Sequence, residues 1–252
     1  MHRNVAVGLM GVDEFTADPI EEPWEMIIPE YRPAEQGEYS LFQGDDYPFL
    51  RGYYNGLKGP VRNWVLTEKG KVWMSVTPME LESQAIHVAA ATGQVLVYGL
   101  GMGVAAYNMA LKEDVERVTV IERSNEVIDM ILHNSDVGEM DKITIAPGDA
   151  FDYESVKEYD FAYADIWRRL GSGRSVGNMK ELSRNVRAKL WGFWGQELEF
   201  VHWLAENDQM PPPTAEQAEQ WVEWLEFPVV GQDRPEEYAQ FAYRVARNVQ
   251  LM

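Results

Sequence analysis

At 252 residues the chain can bury one sizeable core, and with no cysteine it has neither disulfides nor a thiolate nucleophile or metal ligand. Its 22 basic and 41 acidic side chains leave a net charge of −19, which opposes broad nucleic-acid binding, because that needs Lys and Arg to replace counterions. There is no apolar run of roughly 18 residues to span a membrane, and Met1–Ala6 lacks the apolar stretch of a signal peptide, so a cytoplasmic protein is expected.

Residues 1 to about 60 are rich in Pro, Gly and acids without sustained periodicity, which predicts irregular coil or short strands packed on a neighbour. Residues 61–67 and 71–76 flank Glu68-Lys69-Gly70 and predict a β-hairpin. A helix follows from Thr77 to about Ala91, with Thr77 as cap, Pro78 in the first turn and Glu80 completing a capping box. From 94 to 196 strands and helices alternate. Strands are expected at 94–98, 117–121, 142–146, 159–165 and 190–195, and helices near 103–113, 124–134 and 177–189.

That alternation defines the fold class as α/β, a doubly wound, mostly parallel sheet with an N-terminal hairpin extension and a helical tail. The divisions are 1–92 for the extension, 93–197 for the core and 198–252 for the tail. The tail holds a Trp-bearing helix from Glu199 to Asn207, a rigid break at Met210-Pro211-Pro212-Pro213, and helices Thr214–Phe227 and Arg234–Val249. Tyr238, Phe241, Ala242 and Val245 form one stripe of the last helix, and the tail is expected to pack on the sheet, the alternatives being a small lid or a partner surface. Nine Trp and 12 Tyr predict an aromatic core or pocket. Arg168, Arg169, Arg174, Lys180, Arg184, Arg187 and Lys189 cluster; they read as a solvated helix face, the alternative being a landing site for an anionic substrate.

The densest signal is Val95-Leu96-Val97-Tyr98 breaking into Gly99, Gly101 and Gly103 and then a helix. Glycines let a ligand approach the backbone, and the helix start offers free amides. Nineteen residues past Gly103 a second apolar strand ends in Glu122, a carboxylate able to accept from two ribose hydroxyls. Gly99, Glu122, Asp149 and Asp165 all fall at the carboxyl ends of strands, where such sheets bind ligands. A dinucleotide fingerprint would need Gly or Ala at position 104, which is Val104, and no Gly-Lys-Ser/Thr follows to make a phosphate-binding P-loop.

What remains, G-x-G-x-G after an apolar strand, resembles motif I of the class I S-adenosylmethionine-dependent methyltransferases. The resemblance implies S-adenosylmethionine as cofactor, held by Gly99, Gly101, Gly103, Glu122 with its neighbour Arg123, and the Asp149-Ala150 pair that meets the adenine. A closer resemblance covers about 61–197: the Trp-bearing hairpin, Glu80 and Gln84 on a helix, Gly148-Asp149-Ala150-Phe151, a strand ending in Asp165, and Trp194-Gly195-Gln196-Glu197. This is similar to the spermidine synthase-like branch of that fold. It implies Asp165 as the residue that accepts a hydrogen bond from the acceptor nitrogen, with Glu80, Gln84, Trp167 and Gln196 lining the substrate pocket.

Two departures matter. Aminopropyltransferases carry an Asp in the glycine loop where this chain has Met102, and follow the catalytic Asp with a second Asp and a Pro, where this chain reads Asp165-Ile166-Trp167. The resemblance therefore points to methyl transfer onto a small molecule, with aminopropyl transfer or a non-catalytic binding protein as alternatives. Pairing with a second copy, common in such folds through N-terminal extensions, stays open. His2, His87, His133 and His202 lack the i, i+4 pairing of a zinc helix, so no metal site is expected. Gly171-Ser172-Gly173 lacks the G-x-S-x-G spacing and reads as a loop.

Overall fold

The computed structural model describes residues 23–59, 61–171, 173–209 and 212–249. The expectations for residues 1–22, for Ser172 and for the Met210-Pro211 end of the proline break lie outside the described residues.

The extension takes the second of the two expected forms, short strands packed on a neighbour. Strands β1 (Ala34–Gln36), β2 (Tyr39–Gln43), β3 (Leu50–Arg51) and β4 (Leu57–Lys58) precede the expected hairpin, formed by β5 (Trp64–Glu68) and β6 (Lys71–Ser75). The hairpin joins β1 and β2 in an antiparallel sheet of order β1-β2-β5-β6, while β3 and β4 pair separately. Its turn holds Lys69 at φ 52° and Gly70 at φ 71°, the left-handed pair whose twist suits a two-residue hairpin.

Helix α1 (Pro78–Ala90) starts as expected at proline, but the capping box is absent. Thr77 makes no side-chain cap bond, and Glu80 turns to the preceding strand. There its Oε2 accepts from the Ser75 amide at 2.9 Å and from the Ser75 hydroxyl at 2.6 Å.

The core then runs β7 (Gly93–Tyr98), α2 (Val104–Leu111), β8 (Val115–Glu122), α3 (Asn125–Asn134), β9 (Ile143–Pro147), β10 (Ser155–Ala164), α4 (Ser175–Asn185) and β11 (Val186–Phe193). The five strands are parallel, in the order β11-β10-β7-β8-β9. Val95, Leu96, Val97 and Tyr98, and Phe161 through Ala164 beside them, are essentially inaccessible, as expected of parallel strands covered on both faces. The helix expected at 177–189 ends early. Residues 186–189 alternate buried and exposed and extend β11, whose Ala188 and Leu190 pair with Tyr159 and Phe161.

Chain order along the sheet reverses between β7 and β10. Successive strands step outward through β8 and β9, then return to the other side of β7. A crevice opens outside the strand ends at such a switch point. The tail comprises α5 (Gln196–Glu206), α6 (Ala215–Leu225) and α7 (Pro235–Asn248). It covers the β11 edge: the Trp191 amide donates to the Pro228 carbonyl and the Val230 amide to the Trp191 carbonyl, each at 2.9 Å. Phe200, Trp221 and Tyr238 stack inside this layer with ring centroids 5.2 to 6.0 Å apart.

Candidate active site

Two turns make the floor of the crevice. Gly99 follows β7 and Asp165 follows β10, and the Asp165 amide donates to the Tyr98 carbonyl at 2.9 Å. Gly99 sits at φ 91°, and any Cβ there would collide with the Asp165 carbonyl oxygen. Only glycine allows the turns to close this tightly. Gly101, at φ 51°, continues the loop, and Gly103 is the N-cap of α2.

Glu122 reaches back from the end of β8 and locks the loop. Its carboxylate accepts from the Leu100 amide at 2.9 Å and from the Ser124 amide at 2.8 Å. It is turned toward the glycine turn rather than bulk water. Each oxygen keeps a lone pair after these bonds, so two further hydroxyls could be accepted. The next strand end is tied to it: the Gly148 amide donates to the Glu122 carbonyl at 2.9 Å. There Asp149 accepts from the Phe151 amide at 2.9 Å and caps the short 3-10 turn Ala150–Asp152. Asp149 and Ala150 neighbour the Glu122 strand; like Glu122, Arg123 and Gly103 they do not line the crevice.

The opposite wall carries the acids. Glu80 and Gln84, one helical turn apart on α1, both line the crevice with Asp165. Gln84 donates from Nε2 to Asp165 Oδ2 at 3.2 Å, and its own Oε1 is buried without a partner among the described residues. Burial, then the charge of Glu80, pushes the Asp165 carboxyl up to about 8 against the pull of the Gln84 bond. Burial likewise pushes Glu80 up to about 7, opposed by the two Ser75 bonds. Burial thus favours the protonated form of both carboxyls.

Three tryptophans complete the walls. Trp167 donates to Asn178 Oδ1 at 2.9 Å and Trp194 to Ser83 Oγ at 2.7 Å, which fixes both rings. Trp73 comes from β6, and two guanidinium groups lie over its ring, Arg168 at 4.7 Å and Arg123 at 5.9 Å from the centroid. Arg168 also pairs with Glu68. Two more of the basic cluster point elsewhere: Lys180 donates to the Trp224 carbonyl on α6, and Lys189 pairs with Asp160 at 2.7 Å on the sheet.

Gln196 corrects the expectation for it. It does not line the crevice but is fully buried at the start of α5, donating to the Val230 carbonyl at 2.9 Å and the Tyr238 hydroxyl at 3.0 Å. Gly195 at φ 80° turns the chain away from the crevice before Gln196 begins the helix. Met74 was not foreseen. It lies over the glycine turn, its sulfur 3.2 Å from the Met102 amide, and leaves a cavity of only about 20 Å³, room for about one water. Among the described residues no group of three or more His, Asp or Glu is arranged to hold a metal.

The parallel sheet, its switch point and the glycine turn locked by an acid give the chain a class I methyltransferase-like fold. Spermidine synthases are among the solved structures similar to it. One, from Thermotoga maritima, shares 15% identity over 71% of this chain and 70% of that chain, with a TM-score of 0.43. Another, in complex with the transition state analogue AdoDATO, shares 14% over 66% of this chain and 62% of that one, with a TM-score of 0.40. A DhpI–SAH complex shares 19% over 40% of this chain, TM-score 0.32, and only 47% of the DhpI chain is covered. No family model and no curated protein matches the chain.

Proposed function

We propose that this chain is an S-adenosylmethionine-dependent methyltransferase acting on a small molecule through a nitrogen nucleophile. The observation that carries the reading is the Glu122 carboxylate, clamped by the Leu100 and Ser124 amides beside a crevice floored by Asp165. The residues present suit a nucleoside: the loop between Gly99 and Gly103 would hold its amino-acid end, Glu122 the ribose, and the Asp149-Ala150 turn the base. Met74 would have to leave the turn first. When bound, the cofactor supplies a methyl group on a sulfonium, already activated for in-line displacement.

The protein's part is then to position the acceptor and exclude water, which can supply about 7–11 kcal/mol. Asp165, as carboxylate, accepts the hydrogen bond of the acceptor N–H, keeps the lone pair aimed, and takes the proton as the new bond forms. Gln84 holds Asp165 in place. Trp167 and Trp194 line the crevice and would suit a cationic group there, whereas the Trp73 ring already carries Arg168 and Arg123. Aminopropyl transfer is the weaker reading, because Met102 is fully buried and the loop offers no acid to an amine-ended cofactor. A cytoplasmic location belongs to the same proposal; among the described residues no helix is long and apolar enough to cross a membrane.

Calorimetric titration with S-adenosylhomocysteine tests the reading. Micromolar binding is expected, with tighter binding of S-adenosylmethionine than of its decarboxylated form. Absence of binding at millimolar concentration would remove it. Turnover in an amine screen that survives in Asp165→Asn would remove the role given to Asp165.

A further inference from the structure

Met74 is placed on the glycine turn by β6, and two observations say how closely. Its sulfur is 3.2 Å from the Met102 amide. A Cβ on Gly101 would stand 2.8 Å from the same sulfur, so any side chain there would push the thioether aside. The Met102 amide therefore has a weak acceptor where an oxygen would bind it better. The side chain is unbranched and flexible, so it can vacate the turn without moving the strand that carries it. It is also chemically a methionine tail, a thioether on a methylene chain, resting where the methionine end of the cofactor is proposed to go.

We propose that Met74 sets which nucleosides this chain accepts, by occupying the subsite for the amino-acid end until a ligand carrying that end displaces it. The inference rests on the functional reading above. Ligands that keep the amino-acid tail bear the cost of moving the side chain but gain the loop amides with their carboxylate. Nucleosides cut off just beyond the sulfur bind at Glu122 and leave Met74 where it is. The roof thus discriminates by length and not by the base or sugar.

The test compares S-adenosylhomocysteine with 5′-methylthioadenosine on the full chain by calorimetry, in wild type and Met74→Ala. Removing the thioether is expected to tighten S-adenosylhomocysteine about ten-fold while changing 5′-methylthioadenosine less than two-fold. Equal changes for both ligands, or weaker S-adenosylhomocysteine binding, would make Met74 a wall of the site and overturn the proposal. A second readout needs no loss of side chain. With methyl-¹³C methionine, the Met74 resonance, assigned through Met74→Leu, is expected to shift with S-adenosylhomocysteine and stay in place with 5′-methylthioadenosine. A resonance that responds to both or to neither ligand, in protein that binds them, overturns it too. If no variant binds either nucleoside, the functional reading itself falls; if binding is intact and blind to Met74, only this inference does.

Discussion

Asp165 and Glu80 show how one crevice makes a base out of an ordinary acid. Burial raises both carboxyls, Asp165 to about 8 with the charge of Glu80 adding to it, and Glu80 to about 7. The base form of Asp165 exists above its raised value, so kcat/KM for an amine acceptor is expected to climb as pH rises through about 8. Glu80→Gln removes the neighbouring charge, and the climb should move to lower pH; a profile unchanged by Glu80→Gln would mean that another group governs it. These residues were legible in the sequence, because a strand-end acid and two polar positions one turn apart on a helix are local patterns. Gln196 was misread because its partners, Val230 and Tyr238, lie 34 and 42 residues further on. Met74 carried no polar signal at all. Only the closeness of β6 to the glycine turn gives it a role.

Among the elements, the parallel core was plain because its apolar strands and amphipathic helices follow distinct periods. The β1–β2 ladder was not, since such short strands are stabilised by pairing with β5, a contact between distant segments that no local pattern contains. The end of α4 was misplaced for a related reason: residues 186–189 alternate in the rhythm of a strand only once β10 lies beside them. The glycine turn makes the sharpest prediction at this scale. Gly99→Ala adds a Cβ against the Asp165 carbonyl at a left-handed φ of 91°. Strain and overpacking together are expected to cost about 3 kcal/mol, read as a lower denaturant midpoint at unchanged m-value. An unaltered midpoint would show that the two turns do not pack as described.

At the scale of the molecule, a second polar cluster joins the extension to the tail. Tyr53 donates to Glu197 at 2.9 Å, and His87 lies 3.9 Å from the same carboxylate, all three inaccessible to solvent. Burial lowers His87 to about 3, so it stays neutral, and burial raises Glu197 to about 7. An acid whose folded pKa lies above its unfolded one contributes stability below about pH 4.5, and that contribution is lost as pH rises through about 7. Glu197→Gln keeps an acceptor for Tyr53 without the charge. It is therefore expected to be more stable than wild type by about 3 kcal/mol at pH 8 and nearly equal at pH 4. Thermal unfolding at the two pH values checks this, and a variant less stable at both would mean that the carboxylate is paired in a way the geometry does not show.

The indole of Trp73 lies beside the turn that Met74 covers, with two guanidinium groups over its ring. Excited indole is sensitive to nearby cations and to water, so the emission of this one ring carries the state of the roof. The difference in fluorescence between wild type and Trp73→Phe therefore turns crevice opening into an optical signal that can be followed in real time without a label.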